Sequence, residues 1–273
     1  MVLVRTGFFS AARAVRATIR AMASPRPQVD EPVRSPHPIL PAYYANGDGK
    51  RGFVGRIFDA TAGDYDRVDR LLAFGSGSWY RRQALLRAGL APGMRMLDVA
   101  VGTGLVAREA VRILGDARSV VGVDPSAGMM AAAAGGGPAL VQGRAERLPF
   151  ADAAFDFLSL GYALRHMSDL EAAFREFRRV LKPGGRLLLL EITPPEGKLA
   201  RAALKLYMRG VVPWLSRAVA RHPETPLLYR YYWDTIEACA RPGQVLATIG
   251  AAGFAGADRV VQLGIFSEYR ATA

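Results

Sequence analysis

The sequence predicts an α/β fold: a doubly wound, mostly parallel sheet, entered through N-terminal helices and carrying a helical insertion late in the chain. Three observations carry this. From residue 95 onward, short apolar runs alternate with amphipathic stretches and tight turns, the pattern of strand–helix units in a parallel sheet. The first of those runs leads directly into Gly102-Thr103-Gly104. The chain has 273 residues, 51% of them hydrophobic, which is enough to bury one large core.

Residues 1–51 read as an extension. Phe8 to Met22 has helical spacing with Arg13, Arg16 and Arg20 on one face, and Ser24 to Gly49 holds Pro25, Pro27, Pro32, Pro36, Pro38 and Pro41, which suit a flexible tether. The main domain is expected over residues 52–273. Phe53 to Leu72 should be helical with a break at Ala62-Gly63, and Trp79 to Leu90 a further helix stopped by Ala91-Pro92-Gly93. MRMLDVAV is a strand, Leu105 to Leu114 a helix, SVVGVD a strand and Ala127 to Ala134 a helix. LVQG, FDFLSLGY, a helix from Leu170 to Leu181 and the strand RLLLLEI follow. Residues 197–232 form the helical insertion, and a helix over Gly243 to Ala252 leads to the last strands. Leu199, Ala203, Leu206, Tyr207, Val211, Trp214 and Leu215 recur at helical intervals in the insertion, either as core or as a groove for an apolar tail.

The aliphatic content excludes a disordered chain, and no apolar run is long enough to span a bilayer. Cys239 is the sole cysteine, which rules out an intrachain disulfide and a cysteine-rich zinc site; no metal site is expected, and His37 and His222 have no metal-like company. The net charge of +12 favours anionic partners. It is concentrated in residues 1–29 and 198–230, where the dense aliphatics suit a lipid surface better than a nucleic-acid track.

The chemistry lies after the strands. Glycines after Asp98 let the backbone turn tightly and approach a ligand, and the next strand ends in Asp124, placed either to accept both hydroxyls of a ribose or to cap the following helix. Arg165 and His166 follow the strand FDFLSLGY at the carboxyl edge of the sheet. Arginine stays protonated and can stabilise an oxyanion, whereas histidine titrates near neutrality and can act as a base. Arg165 could instead pair with Asp169 or Glu171, and His166 could simply be a partly buried helix-start residue.

Leu97 to Gly104, Gly143-Arg144-Ala145-Glu146-Arg147-Leu148-Pro149-Phe150, Phe155-Asp156 and Leu181-Lys182-Pro183-Gly184-Gly185-Arg186 together resemble the class I S-adenosylmethionine-dependent methyltransferases. The flanks (Ile57 to Asp66, Trp79-Tyr80-Arg81-Arg82, Ala163 to Asp169, and Tyr229-Arg230-Tyr231-Tyr232) resemble the UbiE-type C-methyltransferases of ubiquinone and menaquinone biosynthesis. The resemblance implies S-adenosyl-L-methionine as cofactor. It implies contacts from Asp98, Gly102, Thr103, Gly104 and Asp124, with adenine at Arg144-Ala145, a strand-end contact at Gly161, and Tyr65 lying over the cofactor. Arg165 and His166 become the catalytic pair. The chain departs from the family at Arg144, at Leu105 in place of an acid, at Gly161 in place of a serine, and at His166 in place of an asparagine.

The expected reaction is methyl transfer to a ring carbon of a prenylated quinol. Other lipids (a phospholipid amine, a sterol, a pigment precursor) and a non-catalytic cofactor-binding protein stay open. The expected partners are a lipophilic small molecule and an anionic membrane surface touched peripherally, with no nucleic acid; homo-oligomerisation is left open. The expected location is cytoplasmic, or the mitochondrial matrix should the N-terminus be a transit peptide.

Overall fold

The computed structural model describes residues 30–72, 75–133 and 137–273. The helix expected over Phe8–Met22 and its arginines lie outside the described residues. Residues Pro32–Ala273 form one compact unit.

The elements run α1 (Gly47–Leu72), α2 (Gly77–Arg87), β1 (Met96–Val99), α3 (Leu105–Leu114), β2 (Val120–Asp124), α4 (Ala127–Ala133), β3 (Ala139–Gln142), β4 (Phe155–Gly161), α5 (Leu170–Val180) and β5 (Leu181–Ile192). Then come α6 (Lys198–Leu206), a π-helical turn (Tyr207–Val211), α7 (Val212–Val219), α8 (Thr225–Ala238), α9 (Pro242–Ala251), β6 (Ala255–Gln262) and β7 (Phe266–Thr272). The strands form a seven-stranded sheet in the order β3-β2-β1-β4-β5-β7-β6. β1 to β5 pair in parallel, while β7 runs antiparallel to both β5 and β6.

The central strands are apolar throughout because both faces are covered. Leu97, Val99, Leu158 and Leu160 pack with Phe174 and Phe177 of α5 and Ile249 of α9. The alternate residues Met96, Phe157 and Leu188 pack with Ala84 and Leu85 of α2 and Ala107 of α3. The strand order reverses between β1 and β4, and the cleft beyond their carboxyl ends is where a ligand fits such a sheet.

Three expectations need correction. First, α1 has no break at Ala62-Gly63 and runs through both residues. Glycine inside a helix costs about 1 kcal/mol, which the burial of Ile57, Thr61, Ala62 and Val68 offsets. Second, the proline-bearing segment from residue 32 is not a loose tether but part of the compact unit, whose boundary lies at 32 rather than 52. The Val33 amide donates to Thr248 Oγ1 at 2.9 Å, the Leu170 amide to the Arg34 carbonyl at 2.7 Å, and the Ala240 amide to the Pro36 carbonyl at 2.6 Å. Third, most of the apolar stripe read in the insertion does not face inward: Leu199, Leu206 and Trp214 are 85, 70 and 67% exposed, while Tyr207 does pack against the core. The inward face is instead Leu204, Met208, Val212 and Ser216, at intervals of four. The π turn adds a residue to the turn and so brings a four-residue spacing into line. This face packs on Phe53 and Ile57 of α1 and on Leu228, Tyr231 and Trp233 of α8.

Candidate active site

The glycine turn builds one side of the cleft. Gly102 and Gly104 have φ of 56° and 85°, and Ala100 is also left-handed at 52°. A Cβ at Gly102 would meet nothing nearer than the Ala100 carbonyl at 4.0 Å, so the space before it is open to a ligand. Asp98 is 1% exposed and sits opposite Ser159 of β4, whose hydroxyl donates to its Oδ1. Its Oδ2 has no hydrogen-bond partner of good geometry, and burial pushes its carboxyl up to about 7. Asp124 Oδ2 accepts the Gly102 amide at 2.8 Å and Oδ1 the Ser126 amide at 2.8 Å. Burial raises its pKa while those two amides lower it. Each oxygen keeps a second lone pair, so the turn-holding role and a ribose-binding role are compatible.

Helix α1 closes over this side. Asp59 Oδ1 accepts the Ser126 hydroxyl at 2.5 Å and the Gly128 amide at 2.9 Å. Asp66 accepts the Thr103 hydroxyl and pairs with Arg108 at 2.6 Å. Between them, Asp64 accepts the Arg221 and His222 amides and the Thr225 hydroxyl, tying down the start of α8.

The opposite side is the 3-10 turn Leu164–His166 with α8. Arg165 is 1% exposed, and its Nη1 lies 2.6 Å from Glu191 Oε2. Its guanidinium carbon is 4.8 Å from the centre of the Tyr232 ring. It therefore pairs with neither Asp169, which holds Arg34, nor Glu171, which faces Arg175. Nor does it line the cavity: it stands behind the wall, held protonated by Glu191. The His166 ring lies 5.1 Å from Phe58, 5.4 Å from Tyr231 and 5.6 Å from Tyr232. Neither of its nitrogens has a hydrogen-bond partner. Burial, then Arg165, Lys50 and His37, push its pKa well below 6.5, so it does not titrate near neutrality as its residue type suggests.

One cavity joins the two sides. Tyr65, Asp98, Gly102, Thr103, Asp124, Arg144, Ala145, Gly161 and His166 all line it. Gly104 turns the chain without lining it, and from residues 197–232 only Tyr232 reaches it. At Gly161 a Cβ would come within 2.8 Å of Val106 Cγ2, so the branched side chain of α3 occupies the room a serine would need. Tyr65 and Tyr232 meet through their hydroxyls at 3.1 Å. Arg81, Tyr162 and Glu146 also line the cavity, and Arg81 pairs with Asp69 at 2.7 Å. Lys50, Arg81 and Glu191 were missed from sequence because a lone charge on a helix or in a strand carries no local signal of burial.

The family model described as the ubiE/COQ5 methyltransferase family matches residues 46–268. The chain belongs to that family. It is thus a class I, S-adenosylmethionine-dependent methyltransferase, and the open glycine turn, the unsatisfied Asp98 oxygen and Asp124 suit that cofactor. A demethylmenaquinone methyltransferase of Mycolicibacterium paratuberculosis is 34% identical to this methyltransferase over 74% of this chain and 86% of its own length. A ubiquinone/menaquinone biosynthesis C-methyltransferase UbiE of Hahella chejuensis is 33% identical over 68% and 77%. The fold is shared with a solved methyltransferase of Thermotoga maritima at 22% identity and a TM-score of 0.56, covering 80% of this chain and 98% of that one. Among the described residues, no helix is long and apolar enough to cross a membrane.

Proposed function

We propose that this methyltransferase methylates a ring carbon of a prenylated quinol. The observation that carries the reading is His166: a half-buried imidazole whose two ring nitrogens are buried and unpartnered, set in an aromatic wall across one cavity from the cofactor-type turn. The relatives named for demethylmenaquinone and ubiquinone/menaquinone support it.

When bound, S-adenosylmethionine supplies an electrophilic methyl group on a sulfonium. The chain's own residues do the rest. Asp124 accepts the ribose hydroxyls, Asp98 takes the methionine amine, and Gly102, Thr103, Arg144, Ala145 and Gly161 shape the bed, with Tyr65 above it. His166, neutral across the physiological range, takes the quinol hydroxyl proton directly or through a water. The resulting oxyanion would push electron density onto the adjacent ring carbon, which would take the methyl group as its bond to sulfur breaks and the cofactor leaves as a neutral thioether; the hydrogen on that carbon would then pass as a proton to water, and aromaticity would return. Arg165 acts from behind the wall, orienting His166 and Tyr232, rather than by touching the oxyanion. The test is incubation of methyl-labelled cofactor with demethylated quinols, a phospholipid amine and a sterol. Label on a quinol ring carbon, lost in His166→Ala by about 100-fold or more, is the expected result. Label on an amine or a sterol hydroxyl instead would overturn it.

The lipophilic acceptor calls for a bilayer contact, and peripheral docking on anionic lipid is part of the proposal. Lys198 and Arg217 are exposed beside the outward Leu199, Leu206 and Trp214. Cosedimentation with anionic vesicles that weakens in Trp214→Ala and as salt rises is expected. Equal binding to neutral and anionic vesicles at every salt concentration would defeat it.

A further inference from the structure

Lys50 lies in the first turn of α1 and is only 5% exposed. Its ammonium donates to the Met167 carbonyl at 2.8 Å and to the Arg165 carbonyl at 3.3 Å. Those two carbonyls flank His166 in the chain. Among the described residues Lys50 makes no ion pair, and a buried ammonium bonded only to carbonyls is an expensive way to fill space. A methionine would pack there at lower cost, so the charge calls for a reason beyond packing. Burial pulls the lysine down to about 8, which leaves it mostly protonated at neutral pH.

The groups facing His166 come from four places. Arg165 belongs to its own turn and is countered by Glu191; Lys50 comes from α1; His37 comes from the segment before α1; Tyr231 and Tyr232 come from α8. His37 is itself neutral above about 4. Lys50 is therefore the cation beside His166 that no carboxylate touches; Glu146 of the cavity wall and Cys239 of α8's end act on it only through space.

We propose that Lys50 is a positioning residue of the methyl-transfer site: its two hydrogen bonds fix the turn that presents His166 to the cavity, and its charge keeps that imidazole in the proton-accepting form. α1 would then serve both halves of the site, covering the glycine turn with Asp59 and Asp66 and holding the acceptor side with Lys50. The inference rests on His166 as the base.

The experiment compares Lys50→Met, Lys50→Gln and Lys50→Arg with the unsubstituted protein, each checked for folding by its thermal melt. The readouts are kcat and KM for methyl transfer to a short-tailed quinol, the acid limb of kcat/KM, and the ¹⁵N shifts of His166 over the pH range in which the protein stays folded. The His166 signal is assigned by its loss in His166→Asn. Lys50→Met should lower kcat about tenfold or more with KM for the cofactor within about twofold, and should move both the acid limb and the His166 titration up by about half a unit or more. Lys50→Arg should restore both. Lys50→Gln, which keeps a donor but no charge, should move the titration as Lys50→Met does while losing less kcat; it also serves should Lys50→Met fail to fold. An unmoved titration in the folded neutral variants would overturn the proposal. Wild-type turnover in His166→Asn would sink His166 as the base, yet the titration would still report whether Lys50 controls its charge.

Discussion

On the glycine-turn side of the cavity, the polar groups are held by backbone: Asp124 by the Gly102 and Ser126 amides, and Asp59 by the Gly128 amide. On the acceptor side, His166 has neither nitrogen bonded and Arg165 Nε stands unpartnered, among the rings of Phe58, Tyr231 and Tyr232. The first side grips one invariant molecule and is pre-organised for it. The second keeps the proton-accepting capacity of His166 buried and unused, and holds the Arg165–Glu191 ion pair behind the wall. The buried charges differ as well: a carboxyl at Asp98 with one oxygen unsatisfied on one side, and on the other Arg165 paired with Glu191 and Lys50 held by backbone carbonyls.

The hardest break in this contrast is Glu191→Ala. It leaves the Arg165 charge buried without a partner and the Leu164 amide unbonded, a loss of about 3–5 kcal/mol. The melting temperature should fall by roughly 6–20 °C. Cofactor affinity of the surviving folded protein, measured by calorimetry, should stay within about twofold; a large drop there would mean that the two sides are not separable.

Asp124→Ala strikes the other side. Losing a buried, charge-assisted acceptor should weaken S-adenosylmethionine binding more than tenfold, about 1.5–3 kcal/mol, and leave the His166 environment as it was. Unchanged affinity in a folded variant would remove Asp124 from the ribose.

The smallest effect sharpens the contrast by pH. His166 has a folded pKa below its ordinary 6.5, so the unfolded chain takes up its proton first and the acceptor side loses stability as pH falls below about 6.5. Asp98 has the opposite sign. Its folded pKa of about 7 lies above the ordinary 3.8, so the folded state binds the proton first and the cofactor side gains stability as pH falls through 7. Between pH 7 and 5.5 the two contributions oppose each other. Denaturation curves of Asp98→Asn should therefore lose stability more steeply than those of the unsubstituted protein over this interval, and those of His166→Asn less steeply. Parallel curves for all three would contradict the assigned directions.

The cofactor side was largely legible in the sequence because its signal is local. A buried strand, two glycines and the acid ending the next strand specify a turn and its ligand within about thirty residues, and short continuous apolar runs place the strands. The same locality made the helix over Leu105–Leu114 readable from its spacing, whereas the strand order and its switch point came only with the sheet. Wherever a contact spans the chain, only the tertiary structure decided. Arg165 finds Glu191 of β5 rather than the nearby Asp169, because the carboxylate that shares its burial outweighs one that is merely close in sequence. Gly63 stays helical, the prolines from residue 32 pack down, and a π turn rotates which side of the insertion faces inward, since packing energy in each case exceeds a local preference of about 1 kcal/mol. Lys50 and His166 lie more than a hundred residues apart, and their meeting depends on how α1 is laid across the sheet's edge, which no window of sequence contains.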